Sequence, residues 1–178
     1  TYIVTGDKDM MQLVSDNTFV YSLGNRFKPT TTYTVDKVRE RWGIGPEEFI
    51  DYLAMVGDSS DNIPGVDGIG AKSAVKLLDK YQKLETILDS GEEISNKRIR
   101  EGILNGKDLA YLSKKLVTID CKAPYDFHME SFIVKEPYLD KLINAFQDLE
   151  LHSLINKIDT LSSIGIDNKQ KEVDKKYK

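Results

Sequence analysis

Between Gly57 and Lys72 the chain places four glycines and Pro64 in sixteen residues, a composition that no continuous helix or strand tolerates. This stretch must be a series of turns, and it separates two helical patterns. Before it, Pro46 followed by Glu47 and Glu48 is a good helix start, because proline suits the first turn and acids complement the dipole. Phe49, Tyr52, Leu53 and Val56 then fall at i, i+3, i+4, i+7, one apolar face, and Gly57 stops the helix. After the glycines, Ala74, Val75, Leu77, Leu78 and Tyr81 form the apolar face of a second helix.

The glycines admit three readings. A Walker A loop needs lysine directly after its last glycine, but Ala71 stands between Gly70 and Lys72, and a helix rather than a strand precedes. A dinucleotide loop read from Gly68 requires a glycine where Ser73 stands, and again a preceding strand. A helix–hairpin–helix remains. There, glycines permit positive φ and close backbone approach, and the following helix N-terminus points free N–H groups at a phosphate. On this reading the loop backbone contacts the DNA backbone, with Lys72 adding a charge, and such contacts carry no sequence information. A purely structural loop between core helices is the alternative.

Two aspartate pairs offer oxygen ligands. Asp7 and Asp9 flank Lys8 just past a strand end, and i, i+2 spacing lets both face one side of an extended segment. Asp58 and Asp61 stand three apart, so one further helical turn would align them. Mg²⁺ or Mn²⁺ takes such hard ligands, and a pair of ions can activate water against a phosphodiester. Helix capping by Asp7 and Asp58 is the competing reading. A calcium loop is excluded, because Asp7-Lys8-Asp9-Met10-Met11 lacks the third ligand and the glycine.

Elsewhere, Tyr2-Ile3-Val4-Thr5 reads as a buried strand, Met10–Val14 as a short helix and Phe19-Val20-Tyr21 as a second strand, together the end of an α/β unit. Ile99, Ile103, Leu109, Leu112 and Leu116 mark further helix, followed by a strand-like Leu116–Ile119. Glu136 to Ile158 reads as one helix, and the polar residues from Ser162 as a linker or tail. No apolar run is long enough to span a bilayer. Cys121, the single cysteine, excludes an internal disulfide, fits a reducing compartment and reads as a small packing residue. Net charge is −4, but residues 94–118 carry six basic and two acidic side chains, while residues 123–160 carry three and seven. A basic face follows, on which Lys97, Arg98 and Arg100 either line a duplex or are simply solvated. Trp42 and the tyrosines read as packing groups, and His128 and His152 as structural or exposed residues.

Thr5-Gly6-Asp7-Lys8-Asp9 with Gln12-Leu13-Val14, Met55 through Gly65, and Gly68-Ile69-Gly70-Ala71-Lys72 resemble the 5′→3′ exonuclease domain of bacterial DNA polymerase I. Weaker blocks follow in order at Ala110–Ser113, Leu116–Ile119, Phe146, Leu149–Leu151 and Ser153-Leu154, so the resemblance covers about residues 1–160. It implies an α/β, mostly helical fold: the C-terminal part of a PIN-like core plus a helix–three-turn–helix, SAM-like subdomain that binds duplex DNA. The implied divisions are 1–35 for the core remainder, 36–122 for the DNA-binding part, 123–160 for the end of the nuclease domain and 161–178 for the linker. Asp7, Asp9, Asp58 and Asp61 become metal ligands for Mg²⁺ or Mn²⁺, and Gly65, Gly68, Gly70 and Lys72 a phosphate or potassium site. The implied substrate is DNA with a 5′ end or flap, cut in replication and repair by a monomeric cytoplasmic, nucleoid-associated bacterial protein. Because the first residue is Thr1, the resemblance also implies that further carboxylates and phosphate-gripping cations precede this segment. The segment alone is then expected to bind duplex DNA rather than cut it. A noncatalytic helix–hairpin–helix module and a PIN-type ribonuclease are the rival readings, the second disfavoured by the duplex-reading Gly57–Lys72 block.

Overall fold

A computed structural model of the protein describes residues 1–24, 26, 29–133 and 138–158; the tail expected from Ser162 lies outside them. Two compact units divide at Ala123 and Pro124.

The first unit opens with strand β1 (Tyr2–Val4), which pairs in parallel with β2 (Phe19–Ser22), Ile3 opposite Val20. A third strand, β3 (Thr31–Tyr33), runs antiparallel to β2 with Tyr33 opposite Val20, giving the order β1-β2-β3. The helix expected at Met10–Val14 is a 3₁₀ turn over Lys8–Leu13, begun by Asp7, whose Oδ1 accepts the Asp9 N–H. Neither β3 nor helix α1 (Val35–Trp42) was apparent in the apolar pattern. The capping residues of α1 were nevertheless in view: Thr34 accepts the Lys37 N–H, and Gly43 ends the helix at φ 75°.

Helix α2 (Phe49–Val56) is the centre of this unit and packs on α3 (Ala71–Tyr81), α4 (Leu84–Asp89) and α6 (Lys107–Val117). It buries Ala54 and Met55 as well as Phe49, Tyr52 and Leu53, so it is covered nearly all round rather than along one stripe. Met11, Val14, Val20 and Tyr33 join the same core as Phe49, Leu78, Leu84, Ile87 and Ile103. Trp42 packs between Tyr33 and Phe49, as a packing role requires.

The helix expected from Ile99 to Leu116 is present, and three other expectations fail. The apolar pattern from Ile99 to Leu116 is two helices, α5 (Lys97–Asn105) and α6, broken at Gly106. On α6 the buried face is Ala110, Ser113 and Val117, while Leu109, Leu112 and Leu116 are exposed, because the close approach of α2 selects small side chains. Leu116–Ile119 forms no strand: α6 runs through Val117, and Gln12 holds the chain beyond it through the Val117 carbonyl and the Ile119 N–H. Cys121, expected to pack, is exposed in the turn after α6.

The second unit holds a 3₁₀ turn over Met129–Phe132 and helices α7 (Leu139–Asp148) and α8 (His152–Ile155). The single helix expected from Glu136 to Ile158 is interrupted because Glu150 adopts φ 55°. Leu151 N–H then reaches back to Phe146 O and Glu150 N–H to Gln147 O, the paired bonds of a Schellman ending. His128 is exposed against Asp126, and His152 is exposed at the start of α8.

Candidate metal centre and nucleic-acid interface

Asp9, Asp58 and Asp61 each offer a carboxylate oxygen, and these oxygens all lie within 4.8 Å of one another. The segments meet by means other than the sequence suggested. Asp9 sits in the 3₁₀ turn, not on an extended segment. Helix α2 does not continue to align Asp58 with Asp61, because Gly57 leaves the helix at φ 73°. Instead Asp58 and Ile63 exchange two backbone hydrogen bonds, 3.0 and 2.8 Å, closing a short loop whose Asn62 takes φ 56°. Asparagine is among the few L-residues that adopt this conformation cheaply. Asp7 is not in the triad; its oxygen caps the turn.

The charges of the cluster are unevenly balanced. Asp58 is buried, 6% exposed, yet held below the usual carboxylate range, first by the hydrogen bond from Lys8 at 2.7 Å and then by the Ser60 N–H. Asp9 is raised, first by burial and then by Asp7 and Asp58. Its Oδ1 is buried without a hydrogen-bond partner. A buried, unpaired carboxylate oxygen beside two further carboxylates is the donor set of a hard divalent cation, so the residues fit such an ion.

The hairpin leaves the same loop. Gly57 and Gly65 cross back to back: a Cβ on Gly57 would stand 2.6 Å from Ile63 O, and one on Gly65 2.6 Å from Gly57 N. Both have positive φ, 73° and 66°, so glycine is required twice over. Gly65 is buried, and its N–H donates to Ser113 Oγ at 3.0 Å, while Val66 N–H donates to Met55 O at 2.8 Å. Ser113 is fully buried. It went unnoticed in the sequence, where its signal was a hydroxyl among the small residues of α6.

Gly68 is half-buried beside the Arg98 side chain, and Gly70 is exposed with open space where a Cβ would stand. Gly70 precedes α3, and Lys72 lies exposed in its first turn. Gly102 brings α5 onto the hairpin so tightly that a Cβ would collide with the Asp67 carbonyl. Arg98 is thereby held over the hairpin, 3.8 Å from Asp67 and 78% exposed.

The basic stretch is more occupied than its charge suggests. Arg100 donates to the Ile94 carbonyl at 2.8 Å, and Lys97 approaches Glu101 at 3.8 Å. Lys114 lies 2.7 Å from both Asp51 and Glu85, beside a cleft of about 650 Å³. Burial opposes its charge, but the two carboxylates outweigh burial and raise it above the ordinary lysine value. Asp51 also accepts the Leu84 N–H, so this clamp ties α2, α4 and α6 together. Lys97 and Arg98 remain exposed on α5, with Arg98 on the hairpin side, and Arg100 is partly inward.

Residues 44–140 match the family model described as 5′-3′ exonuclease, C-terminal SAM fold. The DNA polymerase I of Caldicellulosiruptor bescii is 42% identical over 158 residues, which is 88% of this chain but 18% of that protein. A solved structure of T5 5′-exonuclease with bound divalent zinc superposes with a TM-score of 0.58 at 24% identity, covering 65% of this chain and 42% of that one. The catalytic core of Rad2 in complex with DNA substrate gives 0.53 at 16% identity, covering 82% and 50%. These two likenesses establish the α/β, mostly helical fold. Among the described residues no helix is long and apolar enough to cross a membrane.

Proposed function

The chain belongs to the 5′-3′ exonuclease family, of which residues 44–140 carry the C-terminal SAM fold, and from that we propose that it serves a metal-dependent nuclease acting near DNA 5′ ends or flaps. The observation that carries this reading is the meeting of Asp9, Asp58 and Asp61 at the root of a glycine hairpin suited to phosphate. The three carboxylates would hold Mg²⁺ or Mn²⁺, with Asp7 beside them. When bound, such an ion lowers the pKa of water and stabilises the leaving oxygen of a phosphodiester. The residues of the hairpin do the holding. Gly70 and the first turn of α3 present backbone N–H groups to a phosphate, Lys72 adds a charge, and Gly68 and Arg98 extend the same surface. Lys97 and Arg100 are secondary contacts in this reading, and Gly65 supports the turn from inside. A potassium ion at the hairpin carbonyls belongs to the same proposal.

Three carboxylates suit one ion better than two, so the 178 residues by themselves are proposed to grip duplex DNA with little cleavage. The divisions at 1–35, 36–122, 123–160 and 161–178, a monomeric state and a cytoplasmic, nucleoid-associated setting complete the proposal. The decisive measurement is cleavage of a 5′-flap duplex with Mg²⁺ by a protein of the relatives' full length carrying this segment, as parent and as Asp58→Ala. Loss of cleavage is expected; equal activity overturns the role of Asp58. Rapid metal-dependent cutting by residues 1–178 alone would overturn the assignment of this segment to binding.

A further inference from the structure

We propose that Lys8 is a built-in counter-ion of the acidic cluster, occupying the cation position on Asp58 and displaced from it when a divalent ion binds. The inference rests on the cluster being a metal site and adds how that site stands before loading. Three carboxylate oxygens within 4.8 Å repel one another, and Asp58 is 6% exposed, so water screens it poorly. Asp58 Oδ1 accepts the Ser60 N–H at 3.0 Å, and Oδ2 takes the Lys8 ammonium at 2.7 Å. The second contact is of ion-pair length, on the carboxylate that the metal reading assigns to the ion. The side chain of Lys8 is 42% exposed, so it has solvent to withdraw into.

Two cations do not share this position. A divalent ion on the Asp58 carboxylate would lie only a few ångströms from the ammonium, and at an effective dielectric near that of a protein surface the repulsion costs about tenfold or more in affinity. Loading therefore requires Lys8 to leave. Asp9 Oδ1, buried and unpartnered, is the oxygen that gains most from the exchange, because the ammonium contacts Asp58 rather than Asp9. The pair thus keeps the metal-free cluster folded at the expense of ion affinity.

The test is Mn²⁺ binding by the 178-residue chain, followed by the paramagnetic signal of free Mn²⁺, in parent, Lys8→Met, Lys8→Gln, Lys8→Arg and Asp58→Asn. Lys8→Met and Lys8→Gln are expected to bind about tenfold more tightly than the parent, Lys8→Arg about as the parent, and Asp58→Asn more weakly. Thermal melting adds a readout independent of catalysis. In chelator, Lys8→Met should melt below the parent, and saturating Mn²⁺ should raise its melting temperature by more than the parent's. Equal or weaker binding by both neutral variants, with Asp58→Asn still impaired, would overturn the role of Lys8 and leave the metal site standing. Absence of Mn²⁺ binding in every form would overturn the metal reading together with the inference. Lys8→Gln, which keeps part of the aliphatic stem, carries the comparison if Lys8→Met fails to fold.

Discussion

Ser113 couples the two halves of the candidate site through a single atom. Its Oγ is the acceptor of the buried Gly65 N–H, and Gly65 in turn rests on Gly57, the residue before Asp58. Ser113→Ala leaves that N–H unsatisfied, and we predict a loss of about 1–3 kcal/mol in urea unfolding together with weaker duplex binding. Retention of both would show that the hydroxyl is dispensable. Protons distinguish Asp58 from Asp9. Asp58 is held below 3.8, so its share of stability is present above that value and lost as pH falls through its folded pKa. Asp9 is raised above 3.8, so the folded state binds its proton more tightly; stability then falls as pH rises from 3.8 through its folded pKa. Since an ion needs the carboxylate charged, Mn²⁺ affinity should decline on acidification first through Asp9, in a window above 3.8. A pH series of Mn²⁺ titrations checks this: Asp9→Asn should bind more weakly and lose that first step.

Among the elements, α2 is positioned less by its own apolar stripe than by what it meets. Lys114 of α6 lies between Asp51 of α2 and Glu85 of α4, and Asp51 also caps α4 through the Leu84 N–H. Lys114→Met strands two carboxylates in a partly buried site, and a destabilisation of about 1–3 kcal/mol is expected by urea unfolding. This pair of contacts explains why charge counting misjudged residues 94–118: Lys114 contributes to packing, and Arg100 to the Ile94 carbonyl, rather than to an open basic face. In the second unit, Glu150 occupies the left-handed position that ends α7 at φ 55°. Glycine takes that conformation without a Cβ clash, so Glu150→Gly should stabilise this unit by about 0.5–1 kcal/mol, measurable as a higher melting temperature. No change, or a loss, would show that α7 ends for another reason.

For the whole molecule, the proposed grip on DNA is electrostatic and should weaken steeply with salt. Lys72→Ala is expected to reduce the slope of log affinity against log salt by about one unit, uniformly across duplex sequences. An unchanged slope would remove Lys72 from the interface. Local chemistry was legible before any coordinates. The glycine run fixed where the hairpin lies, helical spacing gave α2 and α3, and the two aspartate pairs named the candidate ligands, because these signals reside in adjacent residues. Tertiary structure decided what those residues do together. It brought Asp9 to Asp58 and Asp61 across some fifty residues of chain, left Asp7 as a cap, and paired Lys8 with Asp58. It set Ser113 against Gly65 and Gly102 against Asp67, and it reversed the buried face of α6, since helical periodicity finds a stripe but only the approaching neighbour selects which stripe is covered. Spacing along a chain specifies what can face one way; distance between segments far apart in sequence follows from packing alone.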